Sequence, residues 1–356
     1  MGWTQGEAEE WQIAVPDYEW SFPQDHWARE GYKTEWWYFT GHLKSENGRE
    51  FGYQFTFFRV GLLPTKPDLD SDWAANNLIM GHAAISDLET GQHYFSESIH
   101  RVTPLLGGFG VYPDTLLAWS RGPVGTQDRW LLRWNGDAFD FSAVDAGKDM
   151  RIDLRTRPKK SLIFQGPKGY SKKGVGESAA SQYYSFTRLE TEGSVTVAGE
   201  TFDVVGESWM DKEFGSNQLD ENQVGWDWFS LQLDDGREVM LYVLRDKTNA
   251  VDYARGTIVL VDGQTQYLKR DEFEIQETGS WTSPETDAIY PAGWIIKVGD
   301  EILTVQSEMK NQENQAELVG TLFYWEGAVR VLRAGKKVGR GYVELTGYGA
   351  GSVPGL

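Results

Sequence analysis

The stretch EWWYFTGHLKSENGREFGYQFTFFR, from Glu35 to Arg59, returns in outline as GWDWFSLQLDDGREVMLYVLR, from Gly225 to Arg245. Trp36 matches Trp226, Tyr38 matches Trp228, Phe39 matches Phe229, Thr40 matches Ser230 and Leu43 matches Leu233, all at an offset of 190 residues. One offset held over these positions means one strand register used twice. In each copy a turn with glycine at positive φ follows, Asn47-Gly48 and Asp235-Gly236, and then Arg-Glu and an apolar run ending in Arg. Each copy reads as a β-hairpin.

Side chains alternate along a strand, so Trp36, Tyr38 and Thr40 share one face and Trp37 and Phe39 the other. Likewise Trp226, Trp228 and Ser230 oppose Asp227, Phe229 and Leu231. Bulky groups on both faces predict strands covered on both sides. A weaker echo follows in Ala83 to Arg101 and Thr257 to Phe273, each reading as strand, turn, strand. Two copies of one meander account for 356 residues, about twice a usual domain. The predicted fold is all-β, two tandem antiparallel barrels, with residues 1–190 forming the N-terminal domain and 191–356 the C-terminal one. Arg157 to Ser181, rich in Gly, Ser and Lys, is the expected interdomain linker.

Composition agrees: 40 Gly, 16 Trp, 16 Tyr and 17 Phe suit many strands, tight turns and aromatic interiors. With 34 Lys+Arg against 53 Asp+Glu, the net charge of −19 repels phosphate backbones and anionic membrane surfaces, so no nucleic acid partner is expected. No apolar run reaches the roughly 20 residues that span a bilayer, which argues against stable membrane insertion. The opening MGWTQGEAEEW lacks the basic and apolar regions of a signal peptide. The expectation is a soluble chain, either exported with its targeting segment removed or cytoplasmic.

Zero cysteines exclude disulfides and thiolate sites. His26, His42, His82, His93 and His100 show no H-x-H or H-E-x-x-H spacing, so no metal and no cofactor are expected. No G-x-S-x-G elbow occurs. The segment GESWMDKEFGS, Gly206 to Ser216, instead crowds Asp211 and Glu213 between Trp209 and Phe214. Two apart on a strand, both acids face one side, where desolvation would raise a carboxylic acid into a proton donor. The same residues also fit a turn cap with plain aromatic core. Trp36, Tyr38, Trp226 and Trp228 suit either barrel packing or the lining of a mouth that admits a long apolar ligand.

TEWWYFTGHL, GREFGYQFTFFR, SQYYSFTRL, GESWMDKEFGS, the second hairpin, YWEGAV and GRGYVELTGY together resemble the AttH-like, or hydroxyneurosporene synthase, family from about Tyr18 to Tyr348. The resemblance implies two lipocalin-like barrels, with a cavity in or between them for a hydrophobic, isoprenoid- or polyketide-like small molecule. It also implies a catalytic Asp211, in the Trp209-Met210-Asp211 motif. Carotenoid hydratases of the family need a His and a Trp where this chain carries Gln182 and Tyr184, which turns the expectation toward another alkene and places Tyr184 among the ligand-binding residues. The expected set is thus Asp211 as general acid, with Trp36, Tyr38, Tyr184, Trp209, Glu213, Trp226 and Trp228 around the ligand. The expected activity is acid-driven hydration; a non-catalytic carrier and a cofactor-free cyclase are the alternatives.

Overall fold

The computed structural model describes residues 10–176, 179–217, 219–220, 222–318 and 322–349. Most of the opening segment read for a signal peptide, residues 1–9, lies outside them. The long strands of the first sheet are β1 (Thr34–Ser45), β2 (Glu50–Gly61), β3 (Asn77–Asp87), β4 (Gln92–Arg101), β5 (Leu116–Arg121), β6 (Arg129–Trp134), β7 (Phe139–Asp145), β8 (Met150–Pro158), β9 (Ala180–Val197) and β10 (Glu200–Asn217). They are ordered β4-β3-β2-β1-β10-β9-β8-β7-β6-β5, and a short strand, Gly107–Phe109, continues the β5 edge. Hydrogen bonds from Ser98 to Ser120 at 3.3 Å and His100 to Gly122 at 3.2 Å draw the two ends together into a nearly closed barrel.

The second sheet contains β11 (Gln223–Leu233), β12 (Glu238–Asp246), β13 (Val251–Val259), β14 (Thr265–Lys269), β15 (Gly293–Val298), β16 (Glu301–Ser307), β17 (Leu322–Arg333) and β18 (Lys336–Leu345). Their order is β14-β13-β12-β11-β18-β17-β16-β15. The first four strands of each sheet correspond, and β9 and β10 of the first correspond to β17 and β18 of the second. Both lipocalin-like halves are antiparallel. Among the described residues no helix is long and apolar enough to cross a membrane.

Sheet membership changes between Asn217 and Gln223, not at residue 190, which falls inside β9. The reason is topological. β10 is the strand that joins the early and late parts of the first barrel, pairing with β1 from Thr34↔Gly215 to Ser45↔Val204 and with β9 on its other side. The expected linker is also corrected: its short strands Ile163–Phe164 and Tyr170–Lys172 pair with β9 and so belong to the first sheet.

Alternation divides the side chains into three packed layers. Trp37, Phe39, Phe51, Tyr53, Phe55, Trp130 and Phe141 fill the first barrel. Phe229, Leu231, Leu241, Trp294, Trp325 and Val343 fill the second. A third cluster, including Tyr38, Tyr183, Trp209, Trp228, Tyr242 and Tyr342, is made by the outer faces of both barrels pressed together. The aromatic stripes therefore line a seam between barrels rather than the mouth of one.

Backbone approach across this seam is close. A Cβ on Gly52 would lie 2.8 Å from both Ala328 Cβ and Tyr342 Oη, atoms of the opposite barrel. Gly52→Val should therefore wedge the seam and cost about 1–3 kcal/mol, the usual range for overpacking. Calorimetry would register this as a lower melting temperature, and an unchanged melting temperature would contradict the packing described.

Candidate active site between the barrels

β10 carries Trp209, Asp211 and Glu213 on its seam face, as alternation requires, and all three are buried. Lys212, between the acids in sequence, points the other way and pairs with Glu35 inside the first barrel, its Nζ 3.5 Å from the centre of the Trp37 ring. It does not neutralise either acid. Asp211 receives three hydrogen bonds instead: Trp209 Nε1 at 2.7 Å and Ser185 Oγ at 2.5 Å on Oδ1, and Tyr183 Oη at 2.6 Å on Oδ2. Glu213 pairs with Lys173 Nζ at 2.7 Å and accepts from Ser181 Oγ.

Tyr38 is the register partner of Asp211, and Trp36 that of Glu213, on the neighbouring strand. The Tyr38 ring meets Trp228 edge-on at 5.2 Å, and Trp228 meets Trp209 at 6.1 Å. Trp228 Nε1 donates to Tyr183 Oη at 3.2 Å, which carries the contact back to Asp211. Trp36 and Trp226 pack half-buried at the edge of the same cluster. Six of the expected residues besides Asp211 thus converge: Trp36, Tyr38, Trp209, Glu213, Trp226 and Trp228. Tyr38 and Trp228 keep 7% exposure and Asp211 and Glu213 3%, whereas the barrel-facing Trp37, Phe39 and Phe229 have none.

Tyr184 is the exception. It lies on the opposite face of β9, in the first barrel, where its hydroxyl meets His26 Nδ1 at 2.6 Å. Tyr183 takes the place at the site, because Asp211 stands opposite Ser185 and only odd-numbered residues of this part of β9 share that face. The residues that the motifs did not single out are Lys173, Tyr183, Ser185, Tyr242, Glu326 and Glu344. Glu326 and Glu344 are register partners on β17 and β18. Tyr38 Oη donates to Glu326 Oε1 at 2.6 Å, and Trp226 Nε1 to Glu344 Oε2 at 2.8 Å. Their signal in the sequence was a lone acid inside an apolar strand run, YWEGAV and GYVELTG.

Burial decides the electrostatics. It pushes Asp211 up to about 7, against the pull of its three donors, and the Glu213 charge adds to the rise. Burial likewise lifts Glu344 to about 7. Glu326 is raised well above the usual carboxylate range by burial and by Glu344 beside it. The site can therefore hold protons near neutral pH. His82 and His93 are pushed down by burial to about 3 and about 4, and serve as neutral hydrogen-bonding groups to Tyr324, Ser86 and Asn314. Among the described residues no cluster of His, Asp or Glu is arranged to hold a metal.

The fold defines a class: tandem lipocalin-like barrels, here with a carboxyl-centred, aromatic-walled candidate site in the seam between them. The chain belongs to the AttH-like family, whose sequence profile matches residues 13–348. A protein of Nitrosomonas europaea described as an AttH is similar in structure, with 32% identity, a TM-score of 0.84, and coverage of 95% of this chain and 100% of that one. Kievitone hydratase from Nectria haematococca shares the fold at 16% identity and a TM-score of 0.65, covering 94% and 92%. CghA shares it at 9% identity and a TM-score of 0.51, covering 90% of each. No curated protein matches in sequence.

The raised Asp211 has a measurable consequence. A carboxyl that keeps its proton in the fold after the unfolded chain has lost it makes stability fall as pH rises between the two values. For Asp211 that window runs from the ordinary 3.8 to about 7. Asp211→Asn removes the loss, so the stability of the variant relative to wild type should rise as pH is taken from about 4 to about 7, and then level off. Urea unfolding of both proteins across this range tests it; a difference independent of pH would contradict the raised acid.

Proposed function

We propose that this protein takes up an apolar, isoprenoid- or polyketide-like molecule at the seam between its barrels and hydrates an alkene in it by acid catalysis. The observation that carries the reading is Asp211, a buried carboxyl pushed up to about 7 among aromatic rings. Protonating carbon needs an acid strong enough to give up its proton and still protonated at neutral pH, and a carboxyl near 7 meets both conditions. Trp209, Trp228 and Tyr38 present ring faces and edges around it, and Trp36 and Trp226 stand half-buried at its edge. Ring faces stabilise a developing carbocation, and the apolar seam limits stray water. Water then captures the cation. The reading needs no cofactor. Kievitone hydratase, named for a hydration, is built on the same fold.

The experiment is a panel of polyenes, prenylated phenols and polyketide-like alkenes incubated with the full chain in heavy-oxygen water, with mass spectrometry of the products. Hydration adds one labelled water. A carrier returns the compound unchanged, and a cyclase releases an isomer of the same mass. Asp211→Asn should preserve folding and the quenching of tryptophan fluorescence by the ligand, while lowering turnover at least about a hundredfold, the low end for a lost general acid. Unchanged turnover in this variant would remove Asp211 from the mechanism, and loss of folding would make it a structural residue.

A further inference from the structure

Hydration has two reactants, and Asp211 serves only one of them. The second barrel presents its own acid to the seam. β17 and β18 set Glu326 directly opposite Glu344, with Glu326 fully buried. Its Oε1 accepts the Tyr38 hydroxyl at 2.6 Å, while its Oε2 is buried and has no hydrogen-bond partner among the described residues. Glu344 is anchored by contrast to Trp226. Thr40 Oγ1, two residues from Tyr38 on the same face of β1, is also buried and unpartnered. Because Tyr38 neighbours Asp211 in the first sheet and bonds Glu326 of the second, the two acids stand on facing walls of one seam.

A buried oxygen with no partner is costly, and buried water is the usual group that satisfies one. We propose that Glu326 is a second catalytic residue of this reaction, binding the attacking water on the wall opposite Asp211 and, together with Glu344, taking up its proton. The inference rests on the hydration reading. Its steps balance: Asp211 transfers its proton to one alkene carbon, the water oxygen bonds to the other, and the proton that oxygen sheds passes to the carboxyl pair. Glu344 is lifted by burial to about 7, so it is ionised in part at neutral pH and can take the proton. Proton exchange from the pair back to Asp211 closes the cycle. The groups facing Glu326 are Tyr38 from β1, Tyr324 from β17 itself, and Tyr342 and Glu344 from β18. None of these four is a cation.

The test uses the full chain as wild type, Glu326→Leu and Glu326→Gln. A high-resolution crystal structure of the wild type should show a water bonded to Glu326 Oε2. Glu326→Leu should stay folded, since it removes one of two buried neighbouring acids, and should still bind panel compounds by tryptophan quenching. It should still exchange solvent deuterium into the alkene through Asp211, but incorporate heavy oxygen at least about a hundredfold more slowly. Glu326→Gln, which can hold water but not take its proton, should fall between the two. Glu326 has no such role if Glu326→Leu hydrates like the wild type, if Oε2 bonds a protein group in place of water, or if exchange and hydration fall together with binding. A wild type that binds the panel yet neither exchanges deuterium nor adds oxygen overturns the hydration reading itself, and the role of Glu326 with it.

Discussion

A β-strand with bulky apolar groups on both faces has to be covered twice, and the rest of this molecule follows from that constraint. β1 puts Trp37 and Phe39 into the first barrel and Trp36 and Tyr38 outside it; β11 puts Phe229 and Leu231 into the second and Trp226 and Trp228 outside. Neither outer face can be left to water at acceptable cost. Each covers the other. The seam is then fixed by polar contacts that reach across it: His42 to the Gly341 carbonyl at 2.8 Å, Tyr324 to His82 at 2.7 Å, and Gln232 to the Thr187 carbonyl at 2.8 Å. Lys160 and Arg188 both pair with Glu238 at 2.8 Å on one flank. Burial of the seam is also what lifts its carboxyl groups, so one constraint yields both the packing and the acids.

The register shows how duplication supplied those acids. Tyr38 stands opposite Asp211 in the first sheet, and its counterpart Trp228 stands opposite Glu344 in the second. Asp211 stands opposite Ser185, and Glu344 opposite Glu326. Asp211 and Glu344 thus hold equivalent positions, as do Ser185 and Glu326, and Tyr183 and Tyr324. The two halves have diverged in what surrounds the shared position. In the first, Ser185, Tyr183 and Trp209 all donate to Asp211, which favours its ionised form and holds it near 7. In the second, an acid, Glu326, replaces the serine and is raised by burial and by Glu344 opposite it. Asp211 and Glu344, both lifted to about 7 on facing walls, are each partly protonated at neutral pH, so one can give a proton while the other takes one.

Much of this was legible in the sequence, and what was hidden has a physical reason. The repeated hairpin, the parity of Trp36 and Tyr38 and the common face of Asp211 and Glu213 are local patterns of period two, and all of them hold. The division of the chain near residue 190 did not, because the strand that completes the first barrel, β10, pairs with a strand about 170 positions earlier, and no local pattern reports such closure. Lys173 was hidden for a related reason: a Gly- and Lys-rich segment reads as solvated loop, yet its lysine lies under Tyr183 and Tyr242 to reach Glu213. Tyr184 came to the expected set from the family motif, but in SQYYSF the two adjacent tyrosines go to opposite faces and it is Tyr183 that meets the seam. Glu326 and Glu344 were visible as acids inside apolar strands but had no partner until the second sheet was folded against the first.

The account turns on one property, that Asp211 keeps its proton into the neutral range. Carbon-13 labelling of the aspartate carboxyl groups, with their chemical shifts followed by NMR as pH is raised and Asp211→Asn used to assign the resonance, measures this directly. The account predicts a midpoint of about 7 for the resonance that the variant lacks. A midpoint near the ordinary 3.8 would show Asp211 ionised throughout the neutral range and contradict its role as the proton donor.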